Sequence, residues 1–138
     1  MDIVKVETYR GEKFHIFSFC DENGTSEVDA IAAKIDNSQK KQISKLETTF
    51  EKAALFDPSR LPDDRCHHLE DGVWQFRADD IRVLWFYDEG NLVICTHAFI
   101  KKVKKTPRKQ ITKAKQRRAE YFTAKESRTL RKLEERNE

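Results

Sequence analysis

Between Val73 and Phe99 the chain carries three stretches with a period of two: VWQFR (73–77), IRVLWFY (81–87) and LVICTHAF (92–99). Connections this short join antiparallel neighbours, because parallel neighbours need a crossover of about a dozen residues or more. A β-meander is therefore the framework that the rest of the chain must satisfy. The Gly and Asn of 88-DEGN-91 suit a tight turn. A four-residue loop there pairs Tyr87 with Leu92 and sets Arg82 opposite His97. A similar connection over residues 78 to 81 pairs Arg77 with Arg82. In this register Trp74, Phe76, Val83, Trp85, Ile94 and Thr96 form one face. The other carries Gln75, Arg77, Arg82 and His97 among Leu84, Phe86, Val93 and Cys95. Two arginines and a histidine on the more polar face make a place where an anion can sit, held by guanidinium forks.

The segments before the meander supply its packing partners. The stretches 3-IVKV-6 and 14-FHIFSFC-20 read as an N-terminal strand or hairpin. Ser26 suits the cap of a helix whose stripe is Val28, Ile31, Ala32 and Ile35, and a second stripe runs Ile43, Leu46, Phe50, Ala53. Two helices, or one broken near Asn37, fit this spacing. Pro58 and Pro62 end the helical region, so Arg65, His67 and His68, after the loop-like DPSRLPDD, are expected on a flexible surface. At 138 residues and 38% hydrophobic, one domain with a real core is expected.

After the last strand, Thr106-Pro107 predicts a helix start, with Thr106 as cap and Pro107 at the first helical position. Ile111, Ala114 and Tyr121 lie on the packing side, and Lys109, Lys113 and Arg117 form a basic flank. Tyr121 is expected in helix-to-core packing. The charge is divided unevenly: residues 1–99 carry 12 basic and 19 acidic side chains, residues 100–138 carry 15 basic and 5 acidic. That division implies a polyanionic partner for the tail, attraction between the two halves, or both. The start, MDIVKVETYR, has no secretory pattern and no long apolar segment follows, so a cytoplasmic protein without membrane association is expected. Cys20, Cys66 and Cys95 are isolated, which argues against a disulfide framework, and no second ligand pair accompanies Cys66, His67 and His68. Neither a metal nor another cofactor is expected.

The succession GVWQFR, IRVLWFY and HAFIKKVKKTPRKQITKAKQR resembles the phage-derived Gp49-like or HigB-type toxins of the RelE/ParE superfamily. Their pattern is Gly-apolar-aromatic-Glu-Leu-Arg, Tyr-Arg-Val-Leu-Tyr, an apolar strand, then Phe-x-Lys-Lys-x-x-Lys-Thr-Pro before a helix. The resemblance implies an α+β fold: a compact domain over residues 1–122, with a mainly antiparallel twisted sheet packed by two N-terminal helices and a basic C-terminal helix. Residues 123–138 are then a helical or partly disordered extension. It also implies the toxin of a type II toxin–antitoxin pair, a metal-independent endoribonuclease that cuts mRNA on the ribosome and is neutralised by a cognate antitoxin protein. A ParE-like topoisomerase inhibitor and a phage nucleic-acid-binding protein are the alternatives. Matched residue by residue, Arg82 is the arginine of the second block, Arg77 ends the first, and Lys101 and Lys102 are the lysine pair. Gln75 stands where Glu is common and Ile81 where Tyr is usual.

RNA cleavage without a metal uses the 2′-OH as nucleophile, so the protein must hold the ribose in line, stabilise a phosphorane and help the 5′-oxygen leave. Arg77 and Arg82 suit the phosphorane, and Lys102 suits the leaving group. His97 reads two ways, as a proton carrier or as a hydrogen-bonded sheet residue. Lys101, Lys104, Lys105, Arg108, Lys109, Lys113 and Arg117 are the expected contacts to ribosome and mRNA phosphates.

Overall fold

The computed structural model describes residues 3–11, 13–21, 23–36, 40–101 and 105–133. The meander is there, as β4 (Val73–Ala78), β5 (Ile81–Asp88) and β6 (Leu92–Ile100). An N-terminal hairpin of β1 (Ile3–Arg10) and β2 (His15–Phe19) joins it through a parallel pairing of β2 with β6. Two further strands complete the sheet. β3 (Cys66–Glu70) lies antiparallel to β4, and β7 (Leu130–Leu133) lies parallel to β1. The order is β3-β4-β5-β6-β2-β1-β7, a mixed sheet in an α+β fold.

Helices cover both faces. Ser26 accepts from the Asp29 N–H at 2.9 Å and caps α1 (Glu27–Ala30), which continues as a 3-10 turn over Ile31–Lys34. α2 (Lys40–Leu55) follows. Val28, Ile31, Leu46, Phe50 and Ala53 pack on Ile16, Phe76, Val83, Trp85, Val93 and Cys95. Each large apolar side chain so buried contributes roughly 1.5–3 kcal/mol. Gly11 lets the β1–β2 turn touch the end of α2, since a Cβ there would sit 2.3 Å from Ala54 Cβ. On the opposite face α3 (Arg108–Glu126) seats Tyr121 among Phe17, Phe86 and Ile94, and Ala114 against Val73 and Leu84. Pro107, rather than Thr106, is the residue flanking the helix, and no side chain caps it. The Thr106 hydroxyl donates instead to Gln75 Oε1 at 2.7 Å.

The sheet corrects the expected register in two places. Asp88 pairs with Leu92 and Tyr87 with Val93, so the β5–β6 loop is one residue shorter than expected. Val93 and Cys95 therefore face α1 and α2, and Ile94 faces α3, the reverse of the expected assignment. A bulge at Thr96 then shifts the register again: Leu84 pairs with His97, and Arg82 with Phe99 rather than His97. The two shifts cancel in facing, so His97 does lie on the same side as Arg82. Arg77 pairs with Arg82 as expected.

Arg65 lies in a turn, while the loop-like expectation for His67 and His68 gives way to an edge strand. His67 pairs with Gln75, and His68 packs edge-on against Trp74 with centroids 5.1 Å apart. The C-terminal region continues α3 to Glu126 and returns as β7 to the sheet. No helix among the described residues is long and apolar enough to cross a membrane.

Candidate functional site

Directly paired residues of adjacent antiparallel strands share a face, so Arg77 and Arg82 stand side by side on the α3-facing side of the sheet. Arg82 is only 5% exposed. Its Nη1 donates to the carbonyls of Asp79 and Ile81, and its Nε is enclosed without a hydrogen-bond partner. Burial, and then the Arg77 charge, lower its pKa. Lys101, whose N–H bonds Asp80 O at 2.7 Å, is lowered by desolvation and then by Arg82 and Arg77. Among the described residues, no carboxylate forms an ion pair with Arg77 or Arg82. The Asp80 and Asp79 charges act on Arg82 without an ion pair, and Asp79 pairs instead with Lys45 at 2.6 Å.

Strand β3 widens this cluster. The Arg77 N–H donates to Arg65 O at 2.7 Å, and His67 lies two residues further along the strand pair, across from Gln75. The His67 pKa is lowered, chiefly by burial and also by Arg77 and Arg82, against an opposing backbone hydrogen bond involving Asp63. The imidazole is thus kept neutral beside guanidinium groups. Gln75, 1% exposed, is committed to Thr106 and ties the approach to α3 onto β4. This group can hold and polarise an anion with oxygen atoms, with a neutral imidazole at its margin.

The cations of α3 are arranged differently. Arg108 pairs with Glu70 through both nitrogens of its fork, one at 3.0 Å. Lys115 reaches Glu70 at 3.0 Å and Asp71 at 2.7 Å. Lys113 and Arg117 share Glu27, and Arg117 also donates to Thr96 O at 2.6 Å. The attraction expected between the two halves of the chain is realised in these pairs. Lys105 and Lys109 are exposed, while Lys102 and Lys104 lie outside the described residues.

His97 is placed beneath α3, with Phe99 stacked on it at 5.9 Å on the side toward Arg82. It is 1% exposed, with Nε2 at 2.8 Å from Gln110 Oε1 and Nδ1 at 2.9 Å from Thr96 Oγ1. With the glutamine oxygen accepting, Nε2 carries the proton and Nδ1, an acceptor, faces the Thr96 hydroxyl, which also contacts Leu84 O at 3.3 Å. Burial, and then Lys113, push its pKa down to about 4, although the Gln110 bond opposes the shift. An unfolded histidine titrates near 6.5, so between these values the unfolded chain binds a proton that the folded chain does not. Stability therefore falls as pH drops from about 6.5 to about 4, by about 3 kcal/mol in all. Urea titrations of the parent and of His97→Gln at pH 7.5 and 4.5 check this. The variant is expected to lose much less stability than the parent over that interval, and equal losses would remove His97 as the cause.

Residues 33–119 match the family model described as phage-derived protein Gp49-like (DUF891), more than half of the chain. The chain belongs to that family. It is a RelE/ParE-like toxin family, and the Gp49-like membership fits a toxin of a toxin–antitoxin pair. No curated protein matches the sequence significantly. The match spans α2, the meander and most of α3, and so includes Arg77, Arg82, Lys101 and the β3 residues that sequence reasoning assigned to a loop. Asp71-Gly72 was the signal for β3. Asp-Gly between apolar residues is a strong two-residue hairpin signal, and both residues have positive φ, 48° and 79°.

Proposed function

We propose that the protein is a ribosome-dependent mRNA endoribonuclease, silenced by a cognate antitoxin, whose phosphate-holding centre is Arg77, Arg82 and Lys101. One observation carries this reading: a buried arginine stands beside a second arginine, and neither has a carboxylate partner among the described residues. Buried cations are ordinarily paired, and an unpaired one is costly until an anion arrives. For a member of a RelE/ParE-like toxin family, a nucleic-acid phosphate is the anion we assign.

In this mechanism the 2′-oxygen attacks the adjacent phosphorus and the bond to the 5′-oxygen breaks, leaving a cyclic 2′,3′-phosphate and a 5′-hydroxyl. His67, neutral at pH 7, takes the 2′-OH proton. The guanidinium groups of Arg77 and Arg82 stabilise the dianionic phosphorane. Lys101 or Lys102 donates a proton to the leaving oxygen. His97 positions β6 under α3 and does not exchange protons with the substrate. Lys104, Lys105, Arg108, Lys109, Lys113 and Arg117 meet ribosomal or messenger RNA phosphates, and an acidic antitoxin segment covers the arginine pair.

Controlled expression with transcript-end mapping, with and without blocked translation, tests the reading. New mRNA ends that vanish when translation is blocked are the expected result. Intact mRNA with inhibited DNA supercoiling selects topoisomerase inhibition instead. His67→Gln is expected to slow single-turnover cleavage about 10²- to 10⁴-fold with ribosome affinity preserved. A parental rate in that variant removes the proton-transfer role.

A further inference from the structure

The β3–β4 turn carries a bulge between His68 and Glu70, so Glu70, rather than Leu69, lies opposite Val73. Leu69, on the same face as His67, packs against the small cluster formed by Val73, Leu84 and Ala114 beneath α3, and the bulge sets Glu70 opposite Val73 beside it. It also directs the Glu70 carboxylate at the outer side of that helix. There both carboxylate oxygens are taken by the Arg108 fork, and Oε2 is also held by Lys115 at 3.0 Å. Hydrogen bonds from Arg108 and Lys115 hold the Glu70 pKa down to about 2, so the carboxylate is charged at any working pH. An arginine fork on two oxygens of one anion, with a lysine on one of them, is also how two non-bridging oxygens of a phosphodiester are held.

We propose that Glu70 is a built-in surrogate for a nucleic-acid backbone phosphate, occupying a docking site made by Arg108 and Lys115 that a phosphate of single-stranded RNA takes over on binding. The inference rests on the reading that α3 faces RNA, and extends it by identifying an internal competitor. The site is reachable: the Arg108 side chain is 66% exposed, Lys115 34% and Glu70 30%. Exposed pairs of this kind hold weakly, so exchange for a phosphate is cheap. The neighbouring carboxylate Glu27 is different in kind, since its partner Arg117 is also committed to the backbone carbonyl of Thr96. Glu70 thereby lowers the affinity of α3 for stray RNA and leaves full affinity to a surface that presents several phosphates at once.

The test is binding of a 20-nucleotide oligouridylate, followed by fluorescence anisotropy from 50 to 300 mM KCl. Glu70→Gln is expected to bind about five- to tenfold tighter than the parent at 100 mM. Its log–log salt dependence should steepen by about 0.7, for the one cation, Arg108, that the substitution leaves without a carboxylate, since Lys115 stays paired with Asp71 at 2.7 Å. Glu51→Gln, the same charge change on exposed α2, is expected to leave both quantities near parental values. In a background of Arg108→Gln and Lys115→Gln, the Glu70 substitution should have no further effect. If Glu70→Gln binds no tighter than Glu51→Gln, or tightens binding equally in the doubly substituted background, the proposal is overturned. Absence of oligouridylate binding by every variant overturns it as well. Tighter binding by Glu70→Gln in a protein that yields no translation-dependent mRNA ends keeps the docking site and discards the nuclease.

Discussion

On the proposed function, Arg82→Ala is expected to lower single-turnover mRNA cleavage on ribosomes by about 10²- to 10³-fold, with ribosome affinity nearly unchanged. The expectation comes from where the charge is kept. Arg82 is almost wholly buried, its Nε has no partner, and the neighbouring Arg77 charge opposes its own. Such a group gains most from an anion whose charge increases during the reaction, because the attraction then grows in a site from which water is excluded. Arg82→Lys sharpens the test. It restores a positive charge without the planar fork, so it should recover only part of the lost rate. Rapid quench on programmed ribosomes measures the chemical step, and circular dichroism reports the fold. A folded Arg82→Ala protein that cleaves at the parental rate would end the assignment.

Asp88→Ala is expected to destabilise the protein by about 3–5 kcal/mol without touching the arginine pair. Asp88 is 4% exposed and ends β5. Its Oδ2 accepts the Tyr121 hydroxyl at 2.8 Å, and its Oδ1 takes Lys125 at 2.8 Å. The same hydroxyl accepts from Lys5 Nζ at 2.8 Å, so one carboxylate secures α3, β1 and the end of β5 together. Without it, a buried ammonium loses its counter-charge. The Lys5 pKa is already lowered, by burial above all, with Asp88 opposing the shift. A lysine with a depressed folded pKa releases its proton in the folded state first, so stability rises with pH in that interval. The deficit of Asp88→Ala should therefore be largest near neutral pH and shrink in alkali. Urea denaturation at pH 7 and pH 10 gives both quantities. A loss under about 1 kcal/mol at pH 7 would show that the network does not hold the helix.

The meander was legible because its stretches are rich in β-branched and aromatic residues and its connections are short, and Arg77 and Arg82 could be paired from that alone. The remaining strands were obscure for separate physical reasons. CHHLE is polar and follows a proline-rich loop, yet β3 forms because Cys66 enters the core and Asp71-Gly72 closes a tight turn. LRKL has two leucines among charges, and its partner lies at the other end of the chain. The parallel alignment of β2 with β6 is equally non-local and leaves no periodic mark in either segment. At the candidate site, an unmarked bulge at Thr96 decides which residue faces Arg82, and no spacing rule reveals it. The basic run after β6 was visible as charge. Its division between cations paired to Glu27, Glu70 and Asp71 and cations left for other partners depends on tertiary placement.

The pairing of β7 with β1 puts a clock on the nascent chain. Ile3 aligns with Leu130, so the first strand is made 127 residues before the one that flanks it. At elongation rates of about 5–20 residues per second the wait is roughly 6–25 s. Throughout that interval β1 has β2 on one side and an open row of amide and carbonyl groups on the other, the kind of edge that recruits a strand from another chain. Crowded polysomes making this protein therefore carry a recurrent opportunity for strand exchange between neighbouring nascent chains, and slowing translation late in the message lengthens it.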